Sequence, residues 1–131
     1  GCNLKKIREK IFLFTKGGNM IIAPPKYDIT YNNLVASLDR SLLRLQTDYV
    51  DVFQVHVPPK TEKEFKEIER FFNHIKEQGK AKFCGISVGV RYDEGIEILC
   101  NHKINIVITR YITEDMSYFL LIKKIYRISK P

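Results

Sequence analysis

The sequence predicts an α/β fold, a parallel sheet whose strands alternate with helices along the chain. Three observations predict it. Short apolar runs rich in β-branched and aromatic residues recur four times, apolar positions at helical spacing fill the intervals between them, and no low-complexity linker interrupts the order. The resulting series is strand, helix, strand, helix, strand, helix, strand, which implies right-handed crossovers within one sheet.

The first strand is the run Ile11 to Thr15, apolar until its end and closed by Lys16. A continuous apolar run of this length fits a parallel strand covered on both faces. Gly17, Gly18 and Asn19 follow as a loop signal. From Thr30 the positions Leu34, Leu38, Leu42 and Leu45 recur at helical spacing, whereas Asp39, Arg40 and Arg44 fall elsewhere around the helix. The second strand runs from Tyr49 to Val57, with Val52, Gln54 and His56 on one face because side chains alternate along an extended chain.

Pro58 and Pro59 stop that strand. Thr61 with Glu64 three residues on forms a capping-box signature, and Phe65, Ile68, Phe72 and Ile75 mark the apolar stripe of a helix that ends near Gly79. A third strand, KFCGIS, ends at Ser87. A shorter helix around Ile96, Leu99 and Cys100 leads to a fourth strand, INIVITRY, and the tail from Ser117 to Lys130 predicts one more helix.

Composition bounds the function classes. With 131 residues, 44% hydrophobic and 11% aromatic, the chain has room for one domain with a real core, and the composition argues against disorder. Lys and Arg number 22 against 15 acids, a net charge of +7 that suits nucleic acid, an anionic membrane surface or a phosphate-bearing cofactor without choosing among them. Cys2, Cys84 and Cys100 are odd in number and show no CxxC spacing, so neither a disulfide framework nor a metal site is indicated, and a reducing, cytoplasmic setting is expected. No apolar run approaches the ~18 residues that span a bilayer. Lys123, Lys124, Arg127 and Lys130 are read as the solvated face of a helix; without an aromatic stacking platform or zinc finger, neither nucleic acid nor membrane is expected as a partner.

Two ionisable residues at strand ends carry the functional reading, Lys16 after IFLFT and His56 after DVFQV. In a barrel of alternating strands and helices, chemistry is assembled at the carboxyl ends of the strands, so the pair suggests one pocket. Taken singly, a lysine at a strand end is ordinarily a solvated terminus and a histidine a satisfied polar residue. Their contexts change that weighting. The stretch DITYNNLVASLDRSLLRLQTDYVDVFQVHVP followed by KEQGKAKFCGISV resembles the aldo-keto reductase family, and the similarity runs from about Lys5 to about Tyr111.

The resemblance implies an eight-stranded parallel barrel that binds a nicotinamide dinucleotide, usually NADPH, without a Rossmann domain. The chain then corresponds to about strands three to six, a partial TIM barrel over residues 1–131. It further implies hydride transfer to an aldehyde or ketone while a Tyr, assisted by Lys, Asp and His, protonates the oxygen. Lys16 matches the lysine, His56 the histidine, and Ser87 a residue that binds the nicotinamide carboxamide. The family's Tyr and Asp lie upstream of the lysine strand, whereas the first here are Tyr27 and Asp28. Val88 stands where Asn is common, Ile108 where Gln is usual, and the segment that grips the adenosine phosphate lies beyond Pro131.

The expected function is accordingly an aldo-keto-reductase-like oxidoreductase segment whose intact parent acts on small carbonyl compounds, with this chain alone inactive. The alternative is a non-catalytic remnant or interaction module on the same scaffold. Four parallel strands do not close, so self-association through open sheet edges is also expected.

Overall fold

The computed structural model describes residues 4–20, 26–88, 98–99, 101–102 and 106–109. Its elements in chain order are α1 (Leu4–Ile7) with a 3-10 turn at Arg8–Lys10, β1 (Phe14–Gly17), β2 (Asn19–Met20), β3 (Lys26–Tyr27), α2 (Tyr31–Leu45), β4 (Val50–Val55), α3 (Glu62–Glu77), β5 (Ala81–Val88) and β6 (Ile106–Thr109). The four longer strands form one sheet in the order β1-β4-β5-β6, and every neighbouring pair is parallel. The predicted α/β alternation is present, as an open half of the eight strands that close a barrel. Leu99 lies in a helical turn where the shorter helix was expected; Ile96, Cys100 and the tail from Ser117 lie outside the described residues.

Helices α2 and α3 lie side by side on one face of the sheet. Leu34, Leu38 and Leu42 of α2 and Phe65, Ile68, Phe71 and Ile75 of α3 are buried against Phe53, Val55, Cys84 and Ile86. The stripe of α3 passes through Phe71 rather than Phe72, which is only partly buried. A step of three then four residues keeps the stripe over the sheet, and Phe71 meets Phe53 edge to face with centroids 5.1 Å apart. Burial in this layer pushes the Cys84 thiol up to about 11, against the opposing charge of Lys76.

Helix ends account for the sequence signals with one shift. Thr61 Oγ1 accepts the Glu64 N–H at 3.2 Å, but the Glu64 carboxylate accepts from Lys60 N–H rather than from Thr61, one residue further out than a reciprocal box requires. The start of α2 is capped from elsewhere: Asp28 accepts the Thr30 N–H at 3.0 Å, and Glu67 of α3 accepts the Tyr31 N–H at 3.0 Å. Gln46, at φ 55°, ends α2 in the left-handed region that glycine ordinarily supplies.

β1 departs from expectation on its other face. Alternation sends Leu13 toward the core, while Phe12 and Phe14 remain 78% and 52% exposed. Phe83, the register partner of Val52 beyond Phe14, is 49% exposed. The strand was expected to be covered on both faces; the described helices α2 and α3 cover one of them.

The amino ends of the strands are tied by a charge cluster. Asp51, 2% exposed at its side chain, accepts from Arg8 and Lys82 at 2.8 Å each and from the Leu13 N–H at 2.9 Å. Arg8 also donates to Thr47 Oγ1 and to the carbonyls of Ile11 and Tyr49, and its guanidinium stacks over the Tyr49 ring at 3.9 Å. Burial alone would raise the Asp51 carboxyl; the hydrogen bonds from Lys82, Leu13 and Arg8 outweigh it and hold the pKa at about 2.

Candidate functional site at the carboxyl ends of the strands

The opposite end of the sheet brings the anticipated residues together. Lys16, Gln54 and Gly85 are Cα register partners across β1, β4 and β5. In a parallel sheet such partners share a face, and the packing of the neighbouring Gly17 against the Phe53 ring and Ser37 of α2 assigns that face: Gly17 points to the helices, Lys16 away from them. His56 follows β4 directly, two residues beyond Gln54, and its backbone N–H donates to Gly17 O at 2.9 Å. Ser87, half-buried on β5, falls on the same face by alternation, beside register position Ile108 of β6.

Glycine is required at two points of this rim. A Cβ at Gly17 would lie 2.5 Å from Phe53 Cζ and 2.8 Å from Ser37 Oγ, so α2 could not approach. Gly18 has φ +89°, which turns the chain back after β1.

That turn starts the β2–β3 hairpin, in which Asn19 pairs with Tyr27 and the Asp28 N–H donates to Gly18 O at 3.0 Å. The hairpin returns Tyr27 to the rim, where its ring meets His56 edge-on with centroids 6.1 Å apart. The GGN signal marked a loop, and strands of two residues are too short to show a period, so nothing in the pattern placed Tyr27 beside His56. Gln54, by contrast, stood on the His56 face in the alternation of β4. What alternation could not show is its state: Gln54 is 1% exposed, and its Nε2 has no hydrogen-bond partner among the described residues.

The electrostatics are those of an uncompensated cation. Among the described residues Lys16 makes no ion pair. His56 has its pKa lowered, first by burial and then by the Lys16 charge, so the imidazole is biased toward its neutral form. The two residues stand on the same face at the ends of adjacent strands. An imidazole N–H and an ammonium beside each other can stabilise charge that develops on an oxygen. No group of three His, Cys, Asp or Glu side chains gathers as a metal site among the described residues, and no described helix is long and apolar enough to cross a membrane.

A parallel strand-helix sheet with ionisable side chains at adjacent strand ends is the arrangement of a segment of a (β/α) barrel. The Aldo/keto reductase family model matches residues 2–114, and the chain belongs to that family. An aldo-keto reductase of Mycolicibacterium smegmatis is 34% identical over 80 residues, covering 61% of this chain and 26% of that protein. The 6-dehydroglucose reductase of Novosphingobium aromaticivorans is 35% identical over 81 residues, covering 62% and 26%. Among solved structures, the holo form of an aldo-keto reductase of Bacillus halodurans superposes with a TM-score of 0.73 at 29% identity, over 92% of this chain and 42% of that one. The chain thus spans about a quarter of the length of the relatives it matches in sequence.

Proposed function

We propose that this chain is part of a carbonyl reductase: joined to the remaining strands of a barrel, it transfers hydride from NADPH to a small aldehyde or ketone. The carrying observation is the meeting of Lys16 and His56 at adjacent strand ends, with the Lys16 charge felt at the imidazole. His56 orients the carbonyl oxygen by donating to it, and Lys16 supplies positive charge that lowers the pKa of a neighbouring phenol. Ser87, on the same face, supplies a hydroxyl that fits one edge of the nicotinamide carboxamide; the nicotinamide itself supplies the hydride. The relatives' names support the class, as 6-dehydroglucose reductase and glyoxal reductase both denote reduction of carbonyl compounds.

In this reading the site is completed by a tyrosine and an aspartate from the rest of the barrel, and residues 1–131 measured alone are expected to show no turnover. A second reading, a non-catalytic interaction module that self-associates, is favoured by exposed Phe14 on β1, outermost of the described strands, and by exposed Phe12 just before it. One pair of measurements separates them: NADPH binding followed by its fluorescence, and aldehyde-dependent NADPH oxidation. Cofactor binding without turnover supports the reductase segment, absence of both supports the module, and turnover by this polypeptide alone overturns the assignment of the missing donor.

A further inference from the structure

Lys16 is followed by two glycines whose carbonyls hold the neighbouring segments of the rim. Gly17 O accepts the His56 N–H at 2.9 Å, and Gly18 O accepts the Asp28 N–H at 3.0 Å. Consecutive peptides therefore fix the residue that bears the imidazole and the residue that follows Tyr27. Both bonds run between backbone groups, so the backbone alone sets the approach of the two segments.

Tyr27 is anchored on both sides. It pairs with Asn19 across the β2–β3 hairpin. Just beyond it, Asn33 Nδ2 donates to Asp28 O at 2.6 Å, and Asp28 Oδ1 accepts from the Thr30 N–H and hydroxyl at 3.0 and 2.7 Å. The ring so anchored is 44% exposed, which is not the burial of a core residue. Its ring partner among the described residues is His56, with 77° between the planes, the edge-to-face arrangement that aromatic pairs prefer. Tyr27 also lines a cleft of about 390 Å³ with Ile29, Val57 and Pro58, and His56 does not line it.

We infer that Tyr27 is the positioning residue of His56: its ring holds the imidazole in one rotamer at the rim and screens it from that cleft. What the role requires is the ring, not the phenol hydroxyl. The inference rests on the reductase reading for its purpose alone. An imidazole that donates to a carbonyl oxygen has to meet that oxygen at a fixed point, and it loses the point when it turns to another rotamer. The anchoring of the hairpin by Gly18 O, Asn33 and Thr30 then has a use, since a displaced Tyr27 would release the imidazole.

The test is nuclear magnetic resonance of the 131-residue chain with isotope-labelled histidine and tyrosine rings. Wild type is expected to show cross-relaxation between the Tyr27 and His56 ring protons, and His56 couplings of a single side-chain rotamer. Tyr27→Phe is expected to keep both. Tyr27→Leu is expected to average the couplings and to move the His56 ring signals to those of an unrestrained histidine, while the Asp28 amide signal stays in place and reports an intact hairpin. Should the leucine variant lose its hairpin, the wild-type cross-relaxation and the Tyr27→Phe couplings decide. Absence of that cross-relaxation, a single His56 rotamer in a folded Tyr27→Leu chain, or a Tyr27→Phe chain with a freed imidazole would each overturn the inference. None of these signals involves NADPH, so a chain that keeps the ring contact but binds no cofactor counts against the reductase reading and not against the positioning role.

Discussion

At the residue scale, the two ends of β4 carry opposite electrostatic designs. Asp51 is buried and over-supplied with donors, so its folded pKa of about 2 lies below the ordinary 3.8. A depressed carboxyl contributes stability that is complete above pH ~4 and is lost as the pH falls toward ~2, a loss of about 2–3 kcal/mol. Acid denaturation followed by circular dichroism is expected to show that window, and Asp51→Ala to erase it while costing about 3–5 kcal/mol at neutral pH, since Arg8 is left buried without its partner. At the other end, His56 is held neutral by burial and by Lys16. Lys16→Met is therefore expected to raise the His56 pKa toward 6.5, read from the ring proton shifts across a pH titration; an unchanged value would place the amine away from the imidazole.

At the element scale, helices and strands of ordinary length were legible and the short pieces were not. The leucine spacing of α2 and the Thr61 cap of α3 read directly, because both are periodic or chemically marked. Thr61→Ala is expected to cost about 1 kcal/mol in urea denaturation. Gly17→Ala is expected to cost more, about 1–3 kcal/mol, because the added methyl meets the Phe53 ring and Ser37 where α2 lies on β1. Lys16, His56 and Ser87 could be assigned to one face from strand parity and family resemblance. Tyr27 could not, since the hairpin that carries it has two-residue strands, too short to show a period. The choice of Phe71 over Phe72 was equally hidden: adjacent phenylalanines leave the stripe's phase open by 100°, and contact with Phe53 decides it.

At the scale of the whole molecule, the sheet is finished on one side and unfinished on the other. α2 and α3 seal one face, whereas β1 is the outermost of the described strands, with Phe14 on it and Phe12 before it facing solvent. Replacing both with serine is expected to increase the monomer fraction in sedimentation velocity without changing the far-ultraviolet spectrum; a wild-type chain that is already monomeric at tens of micromolar would remove the self-association proposal. The sealed face has a different use. Cys84 is buried in the layer between α3 and β5 and its thiol is pushed up to about 11 by that burial, so its alkylation is expected to wait on opening of the layer. The cysteine is a built-in clock for that opening: its modification rate, timed against denaturant, measures how often the helical layer parts from the strands beneath it.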